Sequence, residues 1–369
     1  MIYLDNGATS FHKPPQVQRA VLDAMNCCAN PGRGGYGAAM EAARVVYRTR
    51  EQAAEFFGCK PEQVVFTSNC THGLNIAIRT LVKPGDKVVI SGFEHNAVTR
   101  PLHGLNAKVT VAGRKLFDWE NMLEDFEKAL KSGANAAVFT HVSNVFGYIL
   151  PVEQMAELCR RYGVPFVLDA AQSAGALPVS MEELGADFIA MPGHKGLLGP
   201  QGTGILLCGR SGEPLLWGGT GSESVRQDMP RDLPERLEAG TVNVPGIAGL
   251  GAGLAYLKHR GVERIGKWEQ LLARQCAGGL EGLGVRVFAG PHQAGTVSFV
   301  PPGDCEEFAQ ALGKRGIGVR AGLHCAPLAH ESAGTLDSGT VRISFGHSST
   351  FGEVSGFLKV SAKILNPEK

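Results

Sequence analysis

The sequence predicts a large α/β domain built on a mostly parallel sheet, followed by a smaller α+β domain. Short apolar runs recur between residues 64 and 209, and amphipathic segments of helical period separate them. After about residue 255 the order changes to helices set among short strands. Taken in chain order, the first dozen residues hold one apolar stretch able to pair with either part. VQRAVLDAMNC (17–27) and EAARVVYRTREQAAEFF (41–57) repeat apolar residues near a 3.6 period and read as helices. The runs VVFTS (64–68), KVVISG (87–92), AAVFTHVSN (136–144), PFVLDAAQ (165–172), DFIAM (187–191) and GILLCG (204–209) are apolar on both faces, as strands covered on both sides must be. WENMLEDFEKALKS (119–132) and VEQMAELCRRYG (152–163) supply helices between them. GIAGLGAGLAYL (246–257) imitates the glycine spacing of a dinucleotide site, but no apolar strand precedes it, so it reads as a helix packed closely on its neighbour. The helix KWEQLLARQCAGGLEGL, strands VRVFAG and GTVSFVP, helix CEEFAQALGKRG, strands GVRAG and VRISFG and a last helix complete the chain. The division expected is a large domain over 13–254 and a small one from 1–12 and 255–369.

Composition excludes several classes. Over 369 residues, 44% are hydrophobic and 19% charged, with a formal net charge of +1, the profile of an ordinary enzyme with a large core. Lys and Arg form no run, and residues such as Arg44, Arg48 and Arg50 sit on apparent helix faces, so no nucleic-acid partner is expected. The nine cysteines include no C-x-x-C pair, which disfavours a disulfide framework and a metal site. MIYLDNGATS lacks a secretory pattern and no apolar run approaches the roughly 20 residues of a membrane span, making the cytoplasm the expected compartment.

Loops after parallel strands gather at one sheet edge, where ligands bind. Asp169 ends one apolar run and Lys195 follows another in the Gly-rich MPGHKGLLGPQGTG (191–204). A pyridoxal 5'-phosphate cofactor needs such a pair: an amine to form a Schiff base and a carboxylate to keep the pyridine nitrogen protonated. Asn69 to Gly73 open a helix whose free N–H groups, with the Thr71 hydroxyl, suit a phosphate. His95 is placed to lie against the cofactor ring. Taken singly, each has a plainer reading: a helix cap for Asp169, a solvated lysine, a structural histidine.

Together, YLDNGATS, THGLN, EHNAV, SNVFG, DAAQSAG, GHKGLLGPQGTG, EAGTVNVPG and RAGLHCAPL stand in the order found in cysteine desulfurases of the class V aminotransferase group, which the chain resembles over nearly its whole length. The resemblance implies fold type I with a seven-stranded sheet. It implies that Lys195 holds the cofactor, Asp169 faces its ring nitrogen, Gln172 bonds its phenolic oxygen, and His95 stacks on the ring and shuttles a proton. Thr71 and His194 would hold the phosphate, Cys70 would border it, and Thr241 would reach the phosphate of a neighbouring subunit in a homodimer. Asn144 and Arg342, with Arg320 and Asn6 nearby, would receive the carboxylate of L-cysteine. Cys325 would take the substrate's sulfur as a persulfide, leaving L-alanine, with His324 and Arg320 favouring its thiolate. The short segment from Cys325 to VRISFG resembles the subgroup that hands sulfur to a separate acceptor protein, with iron–sulfur cluster assembly among the pathways such sulfur can feed. Two departures stand out: Pro192 removes a hydroxyl usual in the family, which implies either lower cofactor affinity or compensation by Ser222 or Thr220, and His72 stands where an acidic residue is common. A β-lyase, selenocysteine lyase or other amino-acid enzyme would use Lys195 and Asp169 equally well.

Overall fold

The structure is a computed structural model that describes residues 1–32 and 34–366. Its elements are β1 (Ile2–Tyr3), α1 (Pro15–Cys27), α2 (Gly37–Phe57), β2 (Val64–Thr67), α3 (Cys70–Leu81), β3 (Lys87–Ser91), α4 (Asn96–Gly104), β4 (Lys108–Ala112), α5 (Trp119–Lys131), β5 (Ala136–Thr140), α6 (Val152–Tyr162), β6 (Phe166–Asp169), α7 (Met181–Leu184), β7 (Phe188–Pro192) and β8 (Gly204–Cys208). There follow α8 (Val244–Arg260), α9 (Val262–Glu281), β9 (Arg286–Phe288), β10 (Thr296–Val300), α10 (Cys305–Gly313), β11 (Ile317–Gly318), β12 (Arg320–Gly322), α11 (Pro327–Ala333), β13 (Thr340–Ser344) and α12 (Phe351–Leu365).

The large sheet has seven strands in the order β2-β8-β7-β6-β5-β3-β4, with β8 running antiparallel to both strands it pairs with, β2 and β7. Six of its strands are the apolar runs of the sequence. The seventh, β4, went unread because KVTVA lies at the sheet edge with its first three residues exposed, so its pattern is half polar. Alternate residues of the central strands feed two cores, one on each face: Phe139, Leu168 and Ile189 on one side, Val138, Val167 and Phe188 on the other. The second sheet is antiparallel, in the order β12-β13-β10-β9. GVRAG therefore splits between two sheets, because β11 pairs with β1 while β12 pairs with β13. The N-terminal segment resolves accordingly: Ile2 and Tyr3 pair with Ile317 and Gly318, and Asp5 bridges to Ser344.

The glycine-rich stretch at 246–257 is the middle of α8. A Cβ at Gly253 would collide with the carbonyl of Leu197, so the absence of a side chain there lets α8 seat the loop that carries Lys195. No helix among the described residues is long and apolar enough to cross a membrane.

One basic residue read as a helix-face charge is buried. Arg50 pairs with Glu238 through two contacts of 2.9 Å, and also donates to the carbonyl of Val64. Glu238 further accepts from the Phe66 N–H at 2.6 Å, tying α2 to β2 and to the segment before α8. Single-sequence pattern could not place this pair, because its partner lies 188 residues away. Removing Glu238 as Glu238→Ala strands a buried guanidinium, and denaturant titration should show a loss of about 3–5 kcal/mol, while a paired apolar replacement of both residues should recover most of it.

Candidate active site

The loops that follow β2, β3, β5, β6 and β7 meet at one edge of the large sheet. Asp169, the last residue of β6, is buried there. Its Oδ1 accepts from the Ala171 N–H at 2.9 Å and from the Cys70 thiol at 3.5 Å. Oδ2 has no partner among the described residues, so one carboxylate oxygen remains for a ligand. Cys70 thus does more than open α3: burial and the neighbouring carboxylate push its thiol well up, keeping it a neutral donor to Asp169. Lys195 follows β7 in a turn that presses on the Asp169 loop. Gly175, at φ +89°, and Gly196 make this approach possible, since a Cβ on either would strike the backbone opposite. The Lys195 ammonium makes no hydrogen bond with the described residues. Burial first, then the Arg342 guanidinium, lowers its pKa, with Asp169 opposing them. Such an amine is readily neutral and nucleophilic.

Asp169 and Lys195 line one cavity of about 110 Å³ together with Thr71, His95, Asn144 and His194. Asn69 caps α3 by accepting from the His72 N–H at 2.9 Å. The N–H groups of Cys70 and Thr71 are left without an acceptor among the described residues, which makes an anion cradle at the helix start. His95 caps α4, its Nδ1 accepting from the Ala97 N–H at 3.0 Å. The neutral ring therefore carries its hydrogen on Nε2, and a second proton reaches it only if the cap bond breaks. Burial lowers its pKa against the pull of Asp169. His194, held by Thr9 at 3.1 Å, is lowered to about 4 by burial and then by Lys195 and Lys13, so it faces the cavity as a neutral ring. Gln172 donates to the Gly7 carbonyl at 3.0 Å and lines both this cavity and an adjoining one, where Asn6 lies with its amide on the Ser344 carbonyl at 3.1 Å. Pro192 lines the site without a hydroxyl, while Thr220 and Ser222 bond to each other at 3.2 Å and do not line it. Thr241 lies in a separate pocket beside His72 and Glu238, away from its own chain's cavity.

The second sheet contributes the cations. Arg342, on β13, is buried; it donates to Asp5 Oδ1 at 2.9 Å and to the Asn144 carbonyl at 3.0 Å. Arg320 grips the same Asp5 from the other side, at 3.1 Å from Nε and 2.8 Å from its terminal nitrogen. Asp5 was passed over in the sequence, although a carboxylate within YLDNGATS, directly after an apolar pair, was a signal to be read. Asn144 also donates to the His324 carbonyl at 2.8 Å, which fastens the cysteine loop to the cavity wall. The Cys325 carbonyl accepts from the Asn96 N–H at 2.8 Å, beside His95. His324 and Cys325 occupy successive left-handed conformations, φ +50° and +55°, a strained pair for residues with side chains, held by these two bonds. The thiol itself is exposed.

One expectation fails. His324 does not favour the thiolate, because its ring is buried with Nε2 3.2 Å from the Thr340 carbonyl, and burial together with Arg342 lowers it to about 2, so it carries no positive charge.

The class V aminotransferase model matches residues 2–357. The chain belongs to the class V aminotransferase family. Within it, the chain is 35% identical to a probable cysteine desulfurase of Pyrococcus abyssi, over 99% of this chain and 94% of that one. The apo structure of a cysteine desulfurase from Thermococcus onnurineus NA1 superposes with a TM-score of 0.91 at 35% identity, covering 99% of this chain and 95% of the other. The Escherichia coli cysteine desulfurase CsdA, in its S-sulfonic acid form, gives 0.86 at 26% identity over 99% and 95%.

Desolvation holds five imidazoles, His141, His194, His330 and His347 at about 4 and His324 at about 2, below their ordinary value near 6.5. Unfolding therefore takes up protons below about pH 6.5, and the stability present above that pH is lost as pH falls. Glu94 and Glu269, raised to about 8 by burial, act oppositely: they release protons on unfolding, and their contribution fades as pH rises from about 4.5 to 8. With five groups against two, the thermal midpoint should be highest near neutrality and fall towards pH 4, as a series of calorimetric scans would show.

Proposed function

We propose that this chain is a pyridoxal 5'-phosphate-dependent cysteine desulfurase that converts L-cysteine to L-alanine and carries the sulfur on Cys325 as a persulfide. The observation that carries the reading is a shared cavity: an unbonded lysine and a carboxylate with one free oxygen face it, and the cysteine loop is bonded to its wall. When bound, the cofactor supplies an electron sink for the carbanion formed at the substrate's Cα. The residues present fit it. Asp169 Oδ2 would hold the ring-nitrogen proton, Gln172 the phenolic oxygen, and the N–H groups of Cys70 and Thr71, the Thr71 hydroxyl and His194 the phosphate. Lys195 would bind the cofactor and, once free and neutral, take the proton from the substrate Cα. His95 would cover the ring and offer Nε2–H. Asn144, Arg342 and Arg320, with Asn6 nearby, would receive the substrate carboxylate.

The Cys325 thiolate attacks the sulfur of bound cysteine. An S–S bond forms, the substrate's Cβ–S bond breaks with its electron pair left on carbon, and protonation there gives alanine. The exposure of the thiol suits transfer of the sulfur to a separate acceptor protein. A homodimer is supported by Thr241, which lines a separate pocket and not its own chain's cavity, and by the exposed apolar residues Leu22, Met25, Tyr36, Tyr47 and Trp217. The nine free thiols suit a reducing compartment, and we place the enzyme in the cytoplasm.

The test is to supply L-cysteine with a thiol reductant and quantify alanine and sulfide. The wild-type enzyme should release them in equal amounts, and Cys325→Ala should keep the cofactor yet form no alanine above background. Turnover of cysteine that survives Cys325→Ala would refute the reading.

A further inference from the structure

Arg342 has no open fork for an incoming carboxylate. The residue is 3% exposed, one terminal nitrogen is on Asp5, the other is on the Asn144 carbonyl, and Nε is buried without a partner. The backbone of Gly7 closes over it, where an added Cβ would lie 3.5 Å from the guanidinium carbon. Asp5 is itself buried, yet it is held by a second cation, Arg320, whose side chain is 52% exposed. It forms an isolated bridge to Ser344 between the two-residue strand β1 and the turn at 6–8, not a place within a long ladder.

We propose that Asp5 is an internal stand-in for the substrate carboxylate, occupying Arg342 while the site is empty and withdrawing to Arg320 alone when an amino acid binds. This rests on the desulfurase reading for the identity of the amino acid. The physical reason is that a buried guanidinium without a counter-charge is strongly destabilising. Asp5 neutralises it in the free enzyme, and the bidentate grip of Arg320 keeps Asp5 paired after the exchange. Binding then swaps one carboxylate for another on Arg342, leaving the number of ion pairs unchanged. The exchange weakens affinity for every amino acid, product alanine included, and so favours release. Asp5 is accordingly a positioning and specificity residue, not a catalytic one.

Asp5→Asn keeps the shape and an accepting oxygen but removes the competing charge. In the cofactor-loaded enzyme, the dissociation constant for L-alanine, read from the cofactor's absorbance, should fall about tenfold, equivalent to removing about 1.4 kcal/mol of competition. In Asp5→Ser the cavity left by the carboxylate should admit acetate, so the thermal midpoint should be lower than wild type and rise with acetate far more than wild type does. A purely structural Asp5 would leave the variant's alanine affinity unchanged or weaker and its midpoint indifferent to acetate, and either result overturns the proposal. Wild-type alanine formation from cysteine is measured alongside: its absence sinks the desulfurase reading, whereas its presence with unchanged carboxylate affinity in the variants sinks this one alone.

Discussion

An ammonium and a carboxylate are held at the ends of neighbouring strands without neutralising each other, and the chemistry of this protein depends on that separation. Lys195 and Asp169 feel one another's charge, yet no hydrogen bond joins them. Rigid backbone keeps them apart: Asp169 is fixed by its place in β6 and by the Ala171 N–H, while the Lys195 loop is wedged between the Gly175 turn and α8. A direct ion pair would have consumed the groups a cofactor ring needs. The arrangement therefore trades a local electrostatic gain for a ligand site, as sites on rigid sheet edges commonly do.

Around this pair the second sheet works by reach. β13 brings Arg342 to Asn144 in the cavity wall, β12 brings Arg320 to the shared Asp5, and the left-handed His324–Cys325 step swings the thiol outward while its backbone stays bonded to Asn144 and Asn96. Because Asn144 contacts both the cysteine loop and Arg342, the buried guanidinium and the loop that carries the thiol are mechanically linked. Cys70 adds a feature at the opposite wall, a neutral thiol that fixes Asp169 from beneath. Charge in the site is thus set by few groups, since desolvation holds His194 and His324 well below their ordinary pKa and uncharged.

Much of this was legible in the sequence. Strands apolar on both faces announced the parallel sheet, and the polar residues directly after them announced the cavity, because strand ends and ligand edges coincide in such folds. What escaped was long-range or compensated. β4 failed to stand out because an edge strand needs only one apolar face. Arg50 looked like a solvated helix residue because Glu238, far along the chain, neutralises it. His324 looked like a partner for Cys325 because adjacency in sequence says nothing of direction, and successive left-handed residues turn the ring inward and the thiol outward. Asp5 escaped for the same reason as Arg50: its meaning lies in two arginines more than 300 residues away.

In the function proposed, the lysine, the carboxylate and the cysteine serve one bound amino acid. Its most direct measurement is a single turnover of the cofactor-loaded enzyme with stoichiometric L-cysteine, quenched with a thiol-trapping reagent and mapped by peptide mass spectrometry. One additional sulfur should appear on the peptide containing Cys325, matched by one alanine for each L-cysteine consumed. Sulfur found on another cysteine, or alanine formed while the Cys325 peptide stays unmodified, would contradict it.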